Sequence, residues 1–521
     1  MKKVIFSVVL TSFSFVGLGQ KATINWYLKS PTEDKVFGTG AEKAYELLKG
    51  KTSQEVIVAV IDSGVEVDHE DLKQVIWINK GEIPNNGIDD DKNGYIDDVH
   101  GWSFLGGEKE DIDHEAMEIA RMYQAGSNYF NEKDTTRLSD GDKLIYQKFI
   151  QTKRDYKKEQ GQLEEQYKGV KIFSDYIQKV KAASNGEFSK NSNKAFQPTE
   201  EIDVKLKKRM GVILMMFSAE ELESQVTQGA DQIGNMIKYN LMDMDSLRQV
   251  IVGDNPNDFI NRNYGCNRYE GPDAMHGTHV SGTIAGVRGN GIGIDGIASN
   301  AKIMVLRAVP NGDERDKDIA NAIYYAVDNG AKVINMSFGK YFTTNQSEID
   351  KAIIYAKSKD VLFVHAAGNE SKNKDLQNSF PTRKLMDGSI ASNWIEVGAN
   401  SSAKKGKKLI AEFSNYGATT VDLFAPGVDI YSTVPNGKYE DASGTSMACP
   451  ATAGVAALIR GYFPELTAEE VKDVLMKTTV QYKKKIVIPG TKTKAKMNTI
   501  SISGGFVNAE KAVAYLLEQG K

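Results

Sequence analysis

Four polar side chains in this 521-residue chain stand where their chemical types could do work. Asp62 closes the apolar run EVIVAVIDSG, and Ser63-Gly64 after it lets the chain turn sharply with a carboxylate at the end of a strand. Alone, such an aspartate is as readily a turn cap. His276 lies in MHGTHVSGT, where Gly277, Ser281 and Gly282 let a helix pack tightly against a neighbour. Paired with His279 it lacks the third ligand and intervening glutamate of a zinc site, so a base is the better use of His276, and His279 is structural. Ser446 sits in SGTSMACPATAGV, a turn entering a small-residue helix. A serine there is ordinarily a cap, yet the helix dipole also favours negative charge developing beside its hydroxyl. Asn369 ends VLFVHAAGN, and its amide is a good oxyanion donor.

These groups need a frame that brings distant residues together. KIMVLRAV, DKDIANAIYYAVDNG, KVINMSFG, SEIDKAIIYAKSKD and VLFVHAAGN alternate strand and helix, which means parallel strands joined by crossover helices. With Val56–Ile61 they predict an α/β fold with an open, doubly wound, mostly parallel sheet, whose crevice lies at the carboxyl ends of the strands. Between Asp62 and His276 the texture changes to charged, nearly proline-free sequence with apolar residues at three- and four-residue spacing. That predicts an inserted α-helical subdomain over residues 106–255. Residues 20–105 and 256–521 then form the two parts of the sheet domain.

Composition narrows the function classes. With 65 Lys+Arg against 69 Asp+Glu and a formal charge of −4, the chain has no basic surplus for nucleic acid. The two cysteines, Cys266 and Cys449, cannot form a multi-bridge framework. Met1-Lys2-Lys3 precedes an uncharged apolar run to Gly19, short of the ~20 residues that span a bilayer. It reads as a signal peptide over residues 1–19, and predicts an exported, extracellular or periplasmic protein with no membrane span in its mature form. A monomer is expected.

In the order Asp, His, Asn, Ser, the motifs IDSG, HGTHVSG, AAGN and GTSMA resemble those of the subtilisin-like serine proteases, as do VINMSFG and FSNYG. The resemblance covers roughly Glu55–Trp102 and Gly271–Ala514, not the helical insert. It implies a serine endopeptidase acting on proteins or peptides through an acyl-enzyme. Ser446 would be the nucleophile, His276 the base, Asp62 its orienting carboxylate and Asn369 the oxyanion donor. Ser337, Phe338 and Gly339 would pair with an extended substrate, and Ala367 and Gly368 would help to wall its pockets, with apolar side chains tolerated. An insert between Asp62 and His276 would sit beside the cleft, to gate it, dock a substrate or inhibit. The alternative is a non-catalytic binding protein in which the insertion is the working part and the protease fold a scaffold.

A second constellation lies in NGIDDDKNGYIDD. Oxygen side chains fall at the first, third and fifth places (Asp89, Asp91, Asn93) and Gly94 at the sixth, as a calcium loop opens. His100 stands where an EF-hand needs glutamate, so Asp98 or Asp97 would close the site, with Tyr95 at the seventh place. An Asx-rich turn is the plain alternative. Five aspartates within this stretch repel one another unless a cation neutralises them, which favours structural Ca2+; catalysis itself requires no cofactor.

Overall fold

The computed structural model describes residues 23–404 and 406–521, so the expected signal peptide lies outside the described residues. In chain order the strands are β1 (Val56–Asp62), β2 (Gly101–Ser103), β3 (Ala301–Arg307), β4 (Val333–Met336), β5 (Leu362–Ala366), β6 (Trp394–Asn400) and β7 (Leu423–Pro426), followed by β8 (Ile430–Val434), β9 (Lys438–Ala442), β10 (Val480–Gln481), β11 (Ile486–Val487), β12 (Lys494–Ala495) and β13 (Gly505–Phe506). Nine of them make one sheet in the order β10-β13-β7-β6-β5-β4-β1-β3-β2, and β8–β9 and β11–β12 are separate two-stranded ribbons. Every neighbour pair in the large sheet is parallel except β10–β13.

Alternation along β1 divides the core. Val56, Val58 and Val60 face a cluster that includes Val280 and Ile284 of the helix Met275–Ala285 and Val455 and Leu458 of the helix Thr445–Tyr462. Ala59 and Ile61 face the other cluster, with Ile319 and Ile323 of Asp316–Asp328 and Ile349 and Ile353 of Gln346–Ser358. Helices on both faces bury the sheet, which is why its strands are continuous apolar runs. The doubly wound, mostly parallel fold is therefore the one expected. Both cysteines are free thiols.

The described residues form two compact units, Ile119–Met244 and the remainder up to Glu118 and over Asp245–Lys521. The helical unit is centred on a 43-residue helix, Asp140–Ala182, about 65 Å long. Its buried Val170, Phe173, Ile177 and Val180 recur at helical spacing and pack with Leu206, Met210, Leu222 and Val226. Ser139 caps this helix and a Ser218–Glu221 capping box starts the helix Ala219–Asn235.

This unit is shorter than the expected 106–255, because its flanks are held in the sheet unit by buried charge. The Arg248 guanidinium donates to Asp318 at 2.6 and 2.9 Å and to Asp254 at 3.1 and 3.3 Å, and all three side chains are fully buried. Arg315 holds Glu115 through two bonds of 2.7 and 2.9 Å. Charge content alone could not separate these paired flanks from the solvated helices beyond them. Removing one partner of a buried pair strands the other's charge. Arg248→Met should lower the unfolding free energy by about 3–5 kcal/mol, read by denaturant titration.

Candidate active site

Asp62 is the last residue of β1 and 2% exposed. Its Oδ1 accepts from His276 Nδ1 at 2.7 Å and from the Ser63 amide at 2.8 Å. A carboxylate can only accept, so Nδ1 carries the hydrogen and Nε2 of the neutral ring keeps its lone pair. Burial alone would lower the His276 pKa; the Asp62 carboxylate outweighs it and leaves the pKa above the usual value. Two glycines allow this approach. A Cβ on Gly277 would lie 2.2 Å from the Gly64 carbonyl, and Gly64, at φ +135°, has the Glu270 carbonyl 2.0 Å from where its own Cβ would be. His279 is different: it donates from Nε2 to the Ile430 carbonyl at 2.9 Å, and burial pushes its pKa down to about 4.

Ser446 is the second residue of the helix Thr445–Tyr462. Its hydroxyl donates to the Ser337 carbonyl at 3.1 Å and not to the imidazole, while Ser337 Oγ donates to the Ser446 carbonyl at 2.9 Å. The structure thus joins Asp62 to His276 and turns Ser446 toward Ser337. Asn369 follows β5. Its Oδ1 accepts from the Thr445 amide at 2.8 Å and the Thr445 hydroxyl at 3.0 Å, which leaves Nδ2 as the free end of the amide.

Asn415 holds the Asn369 turn. It donates to the Ala367 carbonyl at 2.9 Å and accepts from the Glu370 and Lys372 amides at 3.1 and 2.8 Å. Gly368 fits there at φ +101° because a Cβ would meet Asn415 Nδ2 at 2.3 Å. Thr445 and Asn415 both fall inside motifs visible in the sequence, but only the fold shows that they orient Asn369.

The expected substrate residues separate. Ser337 is buried and occupied with Ser446, whereas Phe338 and Gly339 leave β4 with backbone groups that make no hydrogen bond within the described chain. Gly368 is partly exposed at the turn. Ala367 lies beneath it, 1% exposed, with its amide on the Val397 carbonyl, so its side chain does not reach the surface.

In the acidic loop, Asp89 accepts from the Asn93 and Gly94 amides at 3.1 and 2.8 Å, and Asn93 Oδ1 from the Tyr95 amide at 2.8 Å. The Tyr95 ring is buried against Trp102 and Tyr325. Carboxylate oxygens of Glu82, Asp91 and Asp98 converge within 4.8 Å of one another. Asp98 is fully buried, and burial raises its pKa to about 6 against bonds from Tyr325, Asn93 and Asn79. Three convergent carboxylates form a hard oxygen donor set that fits calcium. Glu82 was missed because it precedes the loop, in a segment with no ligand spacing.

A doubly wound parallel sheet that carries its reactive groups beyond the carboxyl ends of its strands is shared by many enzyme classes. Residues 53–506 match the subtilase family, and the chain belongs to it. It is similar to the "Thermophilic serine proteinase" of Bacillus sp. (strain AK1), 42% identical over 185 residues, which are 35% of this chain and 42% of that one. It is 35% identical over 247 residues to the "Extracellular basic protease" of Dichelobacter nodosus, covering 42% of this chain and 38% of the other. To "Subtilisin DY" of Bacillus licheniformis it is 37% identical over 204 residues, 39% and 69% of the two chains. The match thus spans less than half the length of the first two.

The Asp62 contact sets a measurable property. The His276 ring should titrate above its ordinary 6.5 when followed by NMR, and Asp62→Asn should lower the midpoint, because burial is then opposed only by the weaker influence of Asp273.

Proposed function

We propose that this chain is an exported serine endopeptidase that hydrolyses peptide bonds of proteins, with Ser446, His276 and Asp62 as its triad. The observation that carries this reading is the 2.7 Å bond between Asp62 and His276 Nδ1, which directs the basic nitrogen of the ring outward. Rotation about Cα–Cβ releases the Ser446 hydroxyl from Ser337 to His276; catalytic hydrogen bonds are commonly loose until substrate binds. Oγ then bonds to the scissile carbonyl carbon as its proton passes to Nε2. The carbonyl oxygen, now negative, takes hydrogen bonds from Asn369 Nδ2 and from the Ser446 amide, one of the unpaired N–H groups at the helix start. The C–N bond breaks, the amine leaves with the proton from His276, and water hydrolyses the acyl-serine by the same base.

Phe338 and Gly339 supply the unpaired edge on which an extended substrate adds as a strand. Export rests on the apolar leader, and agrees with the described residues, none of whose helices is long and apolar enough to cross a membrane.

Calcium is the proposed structural ion. Glu82, Asp91 and Asp98 would hold it, with Asp89, Asn93 and Tyr95 shaping the loop around them. It would neutralise converging carboxylates and supply no step of the reaction.

Two experiments test these readings. Casein and a fluorogenic peptide library should be cleaved by the wild type, not by Ser446→Ala, and about 10²–10³-fold more slowly by Asn369→Ala, the range measured for such a donor in this class of enzyme. An equally inert wild type and Ser446→Ala, both folded, would refute the activity. For the ion, the Asp98 carboxyl is raised from 3.8 to about 6 in the fold, so its contribution to stability is complete below about 4 and is lost as pH rises through about 6. In chelator the melting temperature should therefore fall more steeply across that window in the wild type than in Asp98→Asn, and calcium should raise it above pH 6 in the wild type but not in Asp98→Asn.

A further inference from the structure

Among the described residues the backbone of the two-residue edge Phe338–Gly339 is hydrogen-bonded only through the residues that flank it, while the Phe338 ring packs against His365. At one end the Ser337 carbonyl and hydroxyl are bonded to Ser446. At the other, Lys340 pairs through its backbone with Phe380, N–H to O at 2.9 Å and O to N–H at 2.8 Å. The Lys340 side chain then turns inward, 1% exposed, and places Nζ 3.0 Å from Glu118, 2.8 Å from Asp316 and 2.7 Å from the Glu314 carbonyl. An ammonium has three hydrogens to give, and all three have acceptors.

The acceptors are buried and engaged in turn. Glu118, whose side chain is 3% exposed, takes a 2.6 Å bond from the Thr344 hydroxyl on its other oxygen. Asp316 Oδ2 accepts from the Thr343 hydroxyl and the Thr344 and Asn345 amides at 2.8, 3.2 and 2.9 Å. The segment that leaves the substrate edge is thus wrapped around two carboxylates. Glu118 is also the first residue of the helix Glu118–Phe130, where the chain passes into the helical unit that starts at Ile119.

We infer that Lys340 and Glu118 are positioning residues that set the substrate-pairing edge, and that through them the root of the helical insertion is coupled to substrate binding. The inference rests on the protease reading and gives the insertion a role at that site. A displacement at the start of the helix Glu118–Phe130 moves the carboxylate that Lys340 must follow, because neither buried charge can be left alone. Gly339 is the next residue back along the chain.

The test separates positioning from general support. Lys340→Met and Glu118→Gln are compared with wild type on a six-residue fluorogenic peptide, which needs the edge, and on a single-residue ester, which does not. We expect KM for the peptide to rise about tenfold with kcat within about twofold, and the ester kinetics to stay unchanged. Thr344→Val removes the hydroxyl that donates to Glu118 and accepts from Asn345 Nδ2, leaves both charges in place and should raise the peptide KM by a smaller factor; it decides the matter if the charged-pair variants do not fold. Equal losses on both substrates, or an unmoved KM in the folded variants, would overturn the coupling. Labelling of Ser446 by an organophosphorus reagent keeps the two readings apart. Active, labelled wild type with unmoved KM removes the coupling alone, whereas wild type that neither labels nor cleaves removes the protease reading and the coupling with it.

Discussion

A carboxylate buried at the end of a parallel strand is the constraint from which the rest of the site follows. Asp62 is 2% exposed, and an ionised carboxyl in that position is tolerable only with partners. Ser63 supplies one through its amide and His276 the other through Nδ1. The imidazole can reach it only because the helix Met275–Ala285 lies against the Asp62–Gly64 turn with no space for a side chain at Gly277. Glycine here is demanded by distance, and the proton-transfer geometry is the result of a packing condition.

The same logic recurs at the start of the helix Thr445–Tyr462. Its unpaired amides need acceptors, and the Asn369 oxygen takes that of Thr445. Fixing that oxygen fixes the opposite end of the amide, so one capping interaction both closes a helix and aims a donor. Asn415 does for the turn what Thr445 does for the side chain. Asn369 is thus placed by hydrogen bonds that the backbone requires in any case.

Residues whose local sequence states their surroundings were legible from sequence. Asp62 ends an apolar run, His276 sits among small residues that announce close packing, and Ser446 follows a glycine turn, so strand ends and helix starts could be read directly. Residues that act through distant partners could not. Glu82 joins Asp91 and Asp98 by folding back from outside the loop, and nothing in its own neighbourhood marks a ligand. Lys340 and Glu118 lie 222 positions apart, and each looks like an ordinary surface charge until the fold buries both. The burial of Ala367 was equally hidden. Its motif neighbours the site, but motif membership carries no information about which side of a turn a side chain faces.

Buried charge also explains how a chain with two free thiols secures a long insertion. The entry segment is tied down at Glu115 and Glu118 and the exit segment at Arg248 and Asp254; Arg315, Lys317 and Asp318, which pair with Glu115, Asp254 and Arg248, stand at one helix start, and Lys340 joins Glu118 to Asp316 of that same start. A hydrophobic anchor could hold the same segments with equal strength, since a buried ion pair is seldom worth more than apolar residues of the same volume. It would tolerate small slips. An ion pair with every donor and acceptor engaged does not, because each displacement exposes an unmet charge to a low-dielectric interior. Where the chain must leave a sheet for a separate helical unit and return to it, that intolerance to displacement is the property that matters.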